Sequence, residues 1–236
     1  MAPFLEFTNW EKRKSDQEGQ IDQYKKYFLL CEGENTEKWY FEDLIDNRKV
    51  LGIHPTIDVI FLERTEEDLH NSSPKRLFEY ANDLIKHKKI KFNKKFDKMI
   101  IVFDCDIYKK KNEEFNELLS NMRDKGYWAA VTNPSFELFL LLHVENSVND
   151  HILPNETKLM ENKKTGTKTA MQIKFTEVTN MNPKKNKKVG EMCSNINIAI
   201  EQEKLLNQDI NISIGRLTSN IGKIIEEIRK DKLSFE

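Results

Sequence analysis

The sequence predicts an α/β fold: a mostly parallel sheet of four strands, or slightly more, flanked by helices and followed by a helical C-terminal extension. Three observations lead there. Short apolar runs recur at residues 26–33, 56–63, 98–106 and 126–132, rich in Ile, Val, Leu and Phe, and each has strand length. Helical stretches with start and stop signals separate them. The connections are long enough for parallel crossovers, and strand–helix alternation of this kind specifies a parallel sheet covered by helices.

Taken in order, residues 1–24 are mostly polar and charged and read as an N-terminal arm with no resemblance to a signal peptide. Lys26-Tyr-Phe-Leu-Leu-Cys-Glu-Gly33 is the first strand, broken at Gly33. Thr36 caps a helix that runs to about Leu51, before Gly52 and Pro55. Residues 56–63 alternate into a second strand. Ser72-Ser-Pro74 opens a helix to about His87, with proline in its first turn. Lys98-Met-Ile-Ile-Val-Phe-Asp-Cys-Asp106 is a third strand, apolar enough to be buried on both faces. A helix over residues 112–125 and a strand over 126–132 follow, and Asn133-Pro-Ser135 starts a further helix. Residues 25–144 thus form the core. From 145 the composition changes. Residues 155–190 hold nine Lys against three Glu, and two helices close the chain, near 194–207 and across Leu217, Ile221, Ile224, Ile225 and Ile228. The extension 145–236 is expected to pack back on the core.

Composition narrows the function. No apolar run is long enough to cross a membrane. Three cysteines, at 31, 105 and 193, show no CxxC spacing, which argues for a reduced cytoplasmic protein without a zinc knuckle. The net charge is −1, so any affinity for polyanions is local. The basic charge is mostly lysine, 31 against seven Arg.

Four acids fall where topology brings strand ends together. Glu32 ends the first strand, Asp104 and Asp106 end the third, and Glu137 opens the helix after the fourth. Alternation points Asp104 and Asp106 to one side and Cys105 to the other, at the carboxyl edge where α/β proteins bind ligands. Two carboxylates about 7 Å apart along a strand call for ample solvent or a cation between them, and a hard divalent ion is the economical choice. Glu137 is the only acid of an apolar helix; a metal would partner it, and favourable contact with the helix N-terminus is the other reading. Glu32 taken alone reads as a solvated strand-end acid.

Three segments, "LLCEGENTEKWYF", "IIVFDCD" and "NPSFELFLLLH", resemble the signatures of the RloB-like family, which is associated with bacterial defence loci. An acid-glycine after the first strand and a DxD after a later one also resemble the Toprim domain of topoisomerases, primases and OLD-type nucleases. The resemblance spans roughly residues 26–144, with a weaker echo in the closing helix. It implies a Toprim-like sheet with Glu32 as metal ligand or general acid/base, Asp104 and Asp106 as ligands of Mg²⁺ or Mn²⁺, and Glu137 completing the cluster. OLD-type sites carry a further acid four residues after the first glutamate. Here that position is Thr36 and the acid is Glu37, so Glu37 enters only as an additional candidate, a first-turn helix acid being the other reading. His143 matches the family's terminal histidine, and a core histidine bonded to backbone is the better assignment.

The lysine runs supply candidates for holding a polyanion: Lys109, Lys110 and Lys111 beside Asp106, then Lys163, Lys164, Lys168, Lys184, Lys185, Lys187 and Lys188. Each run also fits a solvated face. Lysines suit phosphate contacts without base readout. Trp39-Tyr-Phe41 belongs to a helix core more naturally than to a stacking platform. The expectation is a metal-dependent nuclease acting in antiphage defence, with RNA such as tRNA favoured over DNA by family resemblance, and an ATPase of ABC or AAA type as partner. A non-catalytic metal- or nucleotide-binding regulatory subunit is the alternative. A phosphoacceptor domain fits less well, because DxD on one strand with a separate NPxFE helix is the wrong arrangement for it. Topoisomerase activity is disfavoured for want of DNA-holding domains.

Overall fold

Alternating side chains on the strand runs bury both faces of one sheet. The computed structural model describes residues 25–49, 51–64 and 73–231. The polar arm expected over 1–24 lies outside them. In chain order the strands are β1 (Lys25–Cys31), β2 (Ile57–Phe61), β3 (Lys98–Asp104), β4 (Trp128–Asn133), a small hairpin of β5 (Lys164–Thr165) and β6 (Lys168–Thr169), and β7 (Thr218–Ser219). The helices are α1 (Thr36–Asp46), α2 (Pro74–Lys86), α3 (Asn112–Asp124), α4 (Glu137–Leu141), α5 (Glu156–Glu161), α6 (Ala170–Thr179), α7 (Ile196–Glu203) and α8 (Ile221–Lys230). The main sheet runs β2-β1-β3-β4-β7. Its first four strands are parallel and β7 is antiparallel to β4. The α/β class, the parallel core and its helical cover match the sequence reading and its Toprim-like description. The antiparallel fifth strand is new.

Two apolar layers flank the sheet. Tyr27, Leu29 and Cys31 of β1 and Ile100 and Val102 of β3 join α1, α4, α6, α7 and α8 on one face. Phe28, Leu30, Met99, Ile101, Phe103 and Cys105 join α2 and α3 on the other. The first layer runs continuously from Tyr27 to Ile228, so the C-terminal residues share the core of the strands. Each fully buried Leu or Phe of these layers stabilises by about 1.5–3 kcal/mol.

Three expectations are corrected by local physics. The first helix stops at Asp46: the Arg48 N–H turns back to the Ile45 carbonyl and the Gly52 N–H to that of Lys49, with Gly52 at φ +85°. Asp106 is not in the strand: β3 ends at Asp104 and Asp106 begins a 3₁₀ turn to Tyr108. The lysine-rich stretch 163–188 is not a solvated run throughout. It forms the β5–β6 hairpin and α6, whose Ala170, Met171 and Phe175 are buried, with a full capping box at Thr169 and Gln172.

Candidate metal and phosphate site

Parallel register brings the acids together. Cys31 lies opposite Val102, and Asp104 opposite Thr132, so the residues following β1, β3 and β4 share one edge. Glu32 leaves β1 with its N–H still paired to the Val102 carbonyl, and its Oε2 accepts from the Asp104 N–H at 3.2 Å. Thr132 Oγ1 donates to Asp104 Oδ1 at 2.5 Å. Cys105 packs with Phe103 in the opposite layer, as alternation requires.

Glu137 begins α4 after a cis Asn133–Pro134 bond. It is buried and well partnered: Ser135 Oγ donates to Oε2 at 2.6 Å, Gln172 Nε2 to Oε1 at 3.2 Å, and Lys184 Nζ lies 3.6 Å from Oε1. Glu37 turns into the same space from the first turn of α1. Its carboxylate occupies the place where a Cβ at position 33 would stand, so a side chain at 33 would displace Glu37 from the cluster. Glu37 Oε2 is buried without a hydrogen-bond partner. The residue set aside as an extra candidate is therefore one of the most enclosed acids here.

The electrostatics show crowded, desolvated carboxyls. Burial pushes Glu32 up to about 7, helped by Glu37 and Asp106 and opposed by its hydrogen bond from Asp104. Burial raises Asp104 well above its ordinary value, and Glu37, Glu32 and Glu137 add to it. Glu37 is raised by burial and by Glu137, against the pull of Lys184. Asp106 is raised by burial despite Lys109. Burial disfavours the charge of Lys184, but Glu37, Glu137 and Asp104 outweigh it and hold its pKa above the lysine norm. Lys184 is placed by Pro183, whose carbonyl accepts from buried Thr36 Oγ1 at 2.9 Å.

The acids gather as the topology predicts, but not in closed coordination. Among the described residues, no group of three or more His, Cys, Asp or Glu is spaced to hold an ion as placed. The ammonium of Lys184 stands among them instead. The donor set still fits a hard divalent cation in kind: all-oxygen, excess negative charge, and one orphaned buried carboxylate oxygen. Glu32, Glu37, Asp104, Asp106 and Glu137 are the residues that would hold it.

The other sequence candidates divide. Lys109 Nζ donates to the Glu161 carbonyl at 3.0 Å, which ties the 106–108 turn to the end of α5. Lys164 acts on Asp106 electrostatically, while Lys163 pairs with Glu161 and Lys111 with Glu114. Lys110, Lys185, Lys187 and Lys188 are exposed. His143 is a core histidine: Nδ1 bonds the Phe139 carbonyl and Nε2 the Tyr40 hydroxyl at 2.9 Å, and burial pushes it down to about 4. Tyr40 and Phe41 are buried core residues. Sequence reasoning missed Ser135, Gln172 and Thr132 as supports and Lys184 as the counter-charge. Ser135 was reachable, being two residues before Glu137; Gln172 comes from a distant element with no signal of its own, and the lysine run that marks Lys184 points to a polyanion and not to the acids.

With the acids on one edge, comparison with known proteins becomes informative. The model of the RloB-like protein family matches residues 27–228. The chain belongs to the RloB-like family. Searches of curated proteins and of solved structures found no match. The family match extends well past residue 144, so α6, Lys184 and α8 lie within the RloB-like region together with the acidic strand ends.

Proposed function

We propose that this RloB-like protein is a metal-dependent nuclease that hydrolyses phosphodiester bonds, with Mg²⁺ or Mn²⁺ as cofactor. The observation that carries the reading is the gathering of Glu37, Asp104 and Glu137 about the Lys184 ammonium, with Glu32 against Asp104 and Glu37 Oε2 left unpaired. A cluster so desolvated persists where a cation is to be held. A divalent ion bound there supplies Lewis-acid polarisation of the phosphate and a more acidic water. The chain's own residues do the rest. Ser135 and Gln172 fix the Glu137 carboxylate, the Asp104 N–H orients Glu32, and Thr132 holds Asp104. Lys109, Lys164 and Lys184 offer positive charge to a polyanion approaching the edge. An RNA such as tRNA is favoured over DNA, and a role as antiphage effector with an ATPase partner of ABC or AAA type completes the proposal; these rest on family resemblance.

A second reading, a non-catalytic metal- or nucleotide-binding regulatory subunit, draws on the Lys184–Glu137 pair, which neutralises part of the cluster without any metal. Incubation of the pure protein with total RNA and with plasmid DNA, in Mg²⁺, Mn²⁺ or EDTA, separates the two. Cleavage in either metal, absent in EDTA and lost by at least 100-fold in Asp104→Ala, is expected. Metal binding without cleavage favours the regulatory subunit.

A further inference from the structure

We propose that the cleft between the carboxyl ends of β1 and β2 is a phosphate subsite, in which Arg64 and Lys38 take one phosphate group of a nucleic-acid strand beside the acidic cluster. The nucleic-acid part of this assignment rests on the nuclease reading; the affinity for phosphate does not. The cleft has a volume of about 120 Å³, and Gly33, Glu34, Lys38, Glu63 and Arg64 supply its polar wall.

Arg64 carries the argument. Its Nη2 donates to the Glu32 carbonyl at 2.6 Å, which fixes the guanidinium against the end of β1. Its Nη1 is buried and has no hydrogen-bond partner. A buried charged donor without an acceptor is a costly state in a folded protein. The planar fork of arginine matches the geometry of phosphate as well as of carboxylate. Lys38 stands across the cleft on α1, with Nζ 2.6 Å from Glu63 Oε1 and 3.7 Å from Glu42 Oε1. Glu63 and Glu34 are exposed. An exposed ion pair contributes little, so an entering anion exchanges with Glu63 for the lysine at small cost.

Glu32 is the wall between the two sites. Its carbonyl binds Arg64 and its carboxylate accepts from the Asp104 N–H. A strand with one phosphate at the acids therefore presents a neighbouring phosphate to Arg64, and the cleft sets the register of cleavage. Arg64 in this role is a positioning residue.

Inorganic phosphate is the direct probe, titrated by calorimetry into the full chain in EDTA. Wild type should bind it saturably, and Arg64→Met and Lys38→Met at least tenfold more weakly. Circular dichroism melts establish that each variant is folded. If Arg64→Met does not fold, Arg64→Lys, which keeps the charge and loses the fork, replaces it with an expected loss of about threefold. A second measurement uses RNA oligonucleotides with Ca²⁺ in place of Mg²⁺, carrying one uncharged methylphosphonate linkage at successive positions. One position should weaken wild type and leave the Arg64 variant unaffected. Absence of saturable phosphate binding by wild type, equal binding by a folded Arg64 variant, or identical linkage profiles for both proteins overturns the subsite. Arg64-dependent phosphate binding by a protein that cleaves no nucleic acid leaves the subsite standing and removes the nuclease reading.

Discussion

Glu32 shows how far one side chain's chemistry depends on its setting. An acid at the end of a strand, after Cys31 and before Gly33, is unremarkable in a sequence; with Asp104, Asp106 and Glu37 around it, burial pushes it up to about 7 from 4.5. A carboxyl that holds its proton more tightly when folded makes the protein less stable as pH rises from about 4.5 to 7, with no further loss above that. In EDTA, Glu32→Gln should match wild type at pH 5 and exceed it by roughly 1–3 kcal/mol at pH 8, read from urea melts. His143 works in the other direction, losing stability as pH falls from 6.5 towards 4, and cancels in the comparison. A constant difference across the range would show that Glu32 is not strained by the cluster. Lys184 is the second such residue. Lys184→Met should destabilise the protein in EDTA by about 0.5–1 kcal/mol, the ammonium being half-exposed, and gain more from saturating Mg²⁺ than wild type does, since no ammonium then competes with the ion. Equal Mg²⁺ shifts would mean that Lys184 is outside the site. Asp104 and Glu137 are legible from sequence because a charge ending an apolar run is conspicuous; Glu37 and Lys184 are named only as an additional candidate and as one of a lysine run, because each sits among other charges.

At the scale of elements, legibility follows periodicity. The strands β1 and β3 stand out because their apolar runs specify them, and α2 because Ser72-Ser-Pro74 marks its start. The stretch from 145 to 195 does not. It is built of short turns, a π-helical segment at Val148–Ile152 and a 3₁₀ run at Lys187–Asn195, and side chains bonding to backbone hold much of it. Gln202 Nε2 donates to the carbonyls of Leu142 and Val144, and its Oε1 accepts from Ser147 and the Val148 N–H. No periodic pattern encodes such a bracket. β7 is missed for a related reason: it has two residues, and Asn220 extends its pairing by bonding the Val131 N–H and the Ala129 carbonyl. With Asn220 so engaged, α8 is capped from outside. Glu203 is fully buried and accepts from the N–H groups of Gly222 and Lys223 at 2.9 and 2.8 Å, from Ser219 Oγ at 2.5 Å and from Gln208 at 3.0 Å. Glu203→Ala strands those donors and should destabilise by about 2–4 kcal/mol with little change in phosphate affinity. A loss below about 0.5 kcal/mol would show that water replaces the carboxylate.

Over the whole molecule, charge is divided by position more than by amount. The net charge is −1, yet the carboxyl edge gathers the acids with Lys109, Lys164 and Lys184 around them. Replacing Lys163, Lys164, Lys168 and Lys185 together with glutamine should weaken single-stranded nucleic-acid binding and reduce its salt slope by about 3, at roughly 0.7 per phosphate contact; an unchanged slope would make them a solvated face. The parallel sheet is legible from four alternating runs, and so is the edge at which the acids meet, because parallel strands end together. The return of the C-terminal third onto one face is only partly legible, since its apolar residues are scattered among lysines and asparagines. One contact far from that edge has a practical consequence. Lys25, at the beginning of β1, pairs with Asp231, which also accepts from the Tyr27 hydroxyl. The first and last described residues thus meet at the amino edge of the sheet, about 20 Å from the acids by the length of one strand. A chain trimmed to residues 25–231 and labelled at Lys25 or Asp231 would carry the label on the side away from the acids, and a short linker joining residue 231 to residue 25 would permit new ends to be opened elsewhere. Immobilised through position 231, such a trimmed protein would present its charged face outwards.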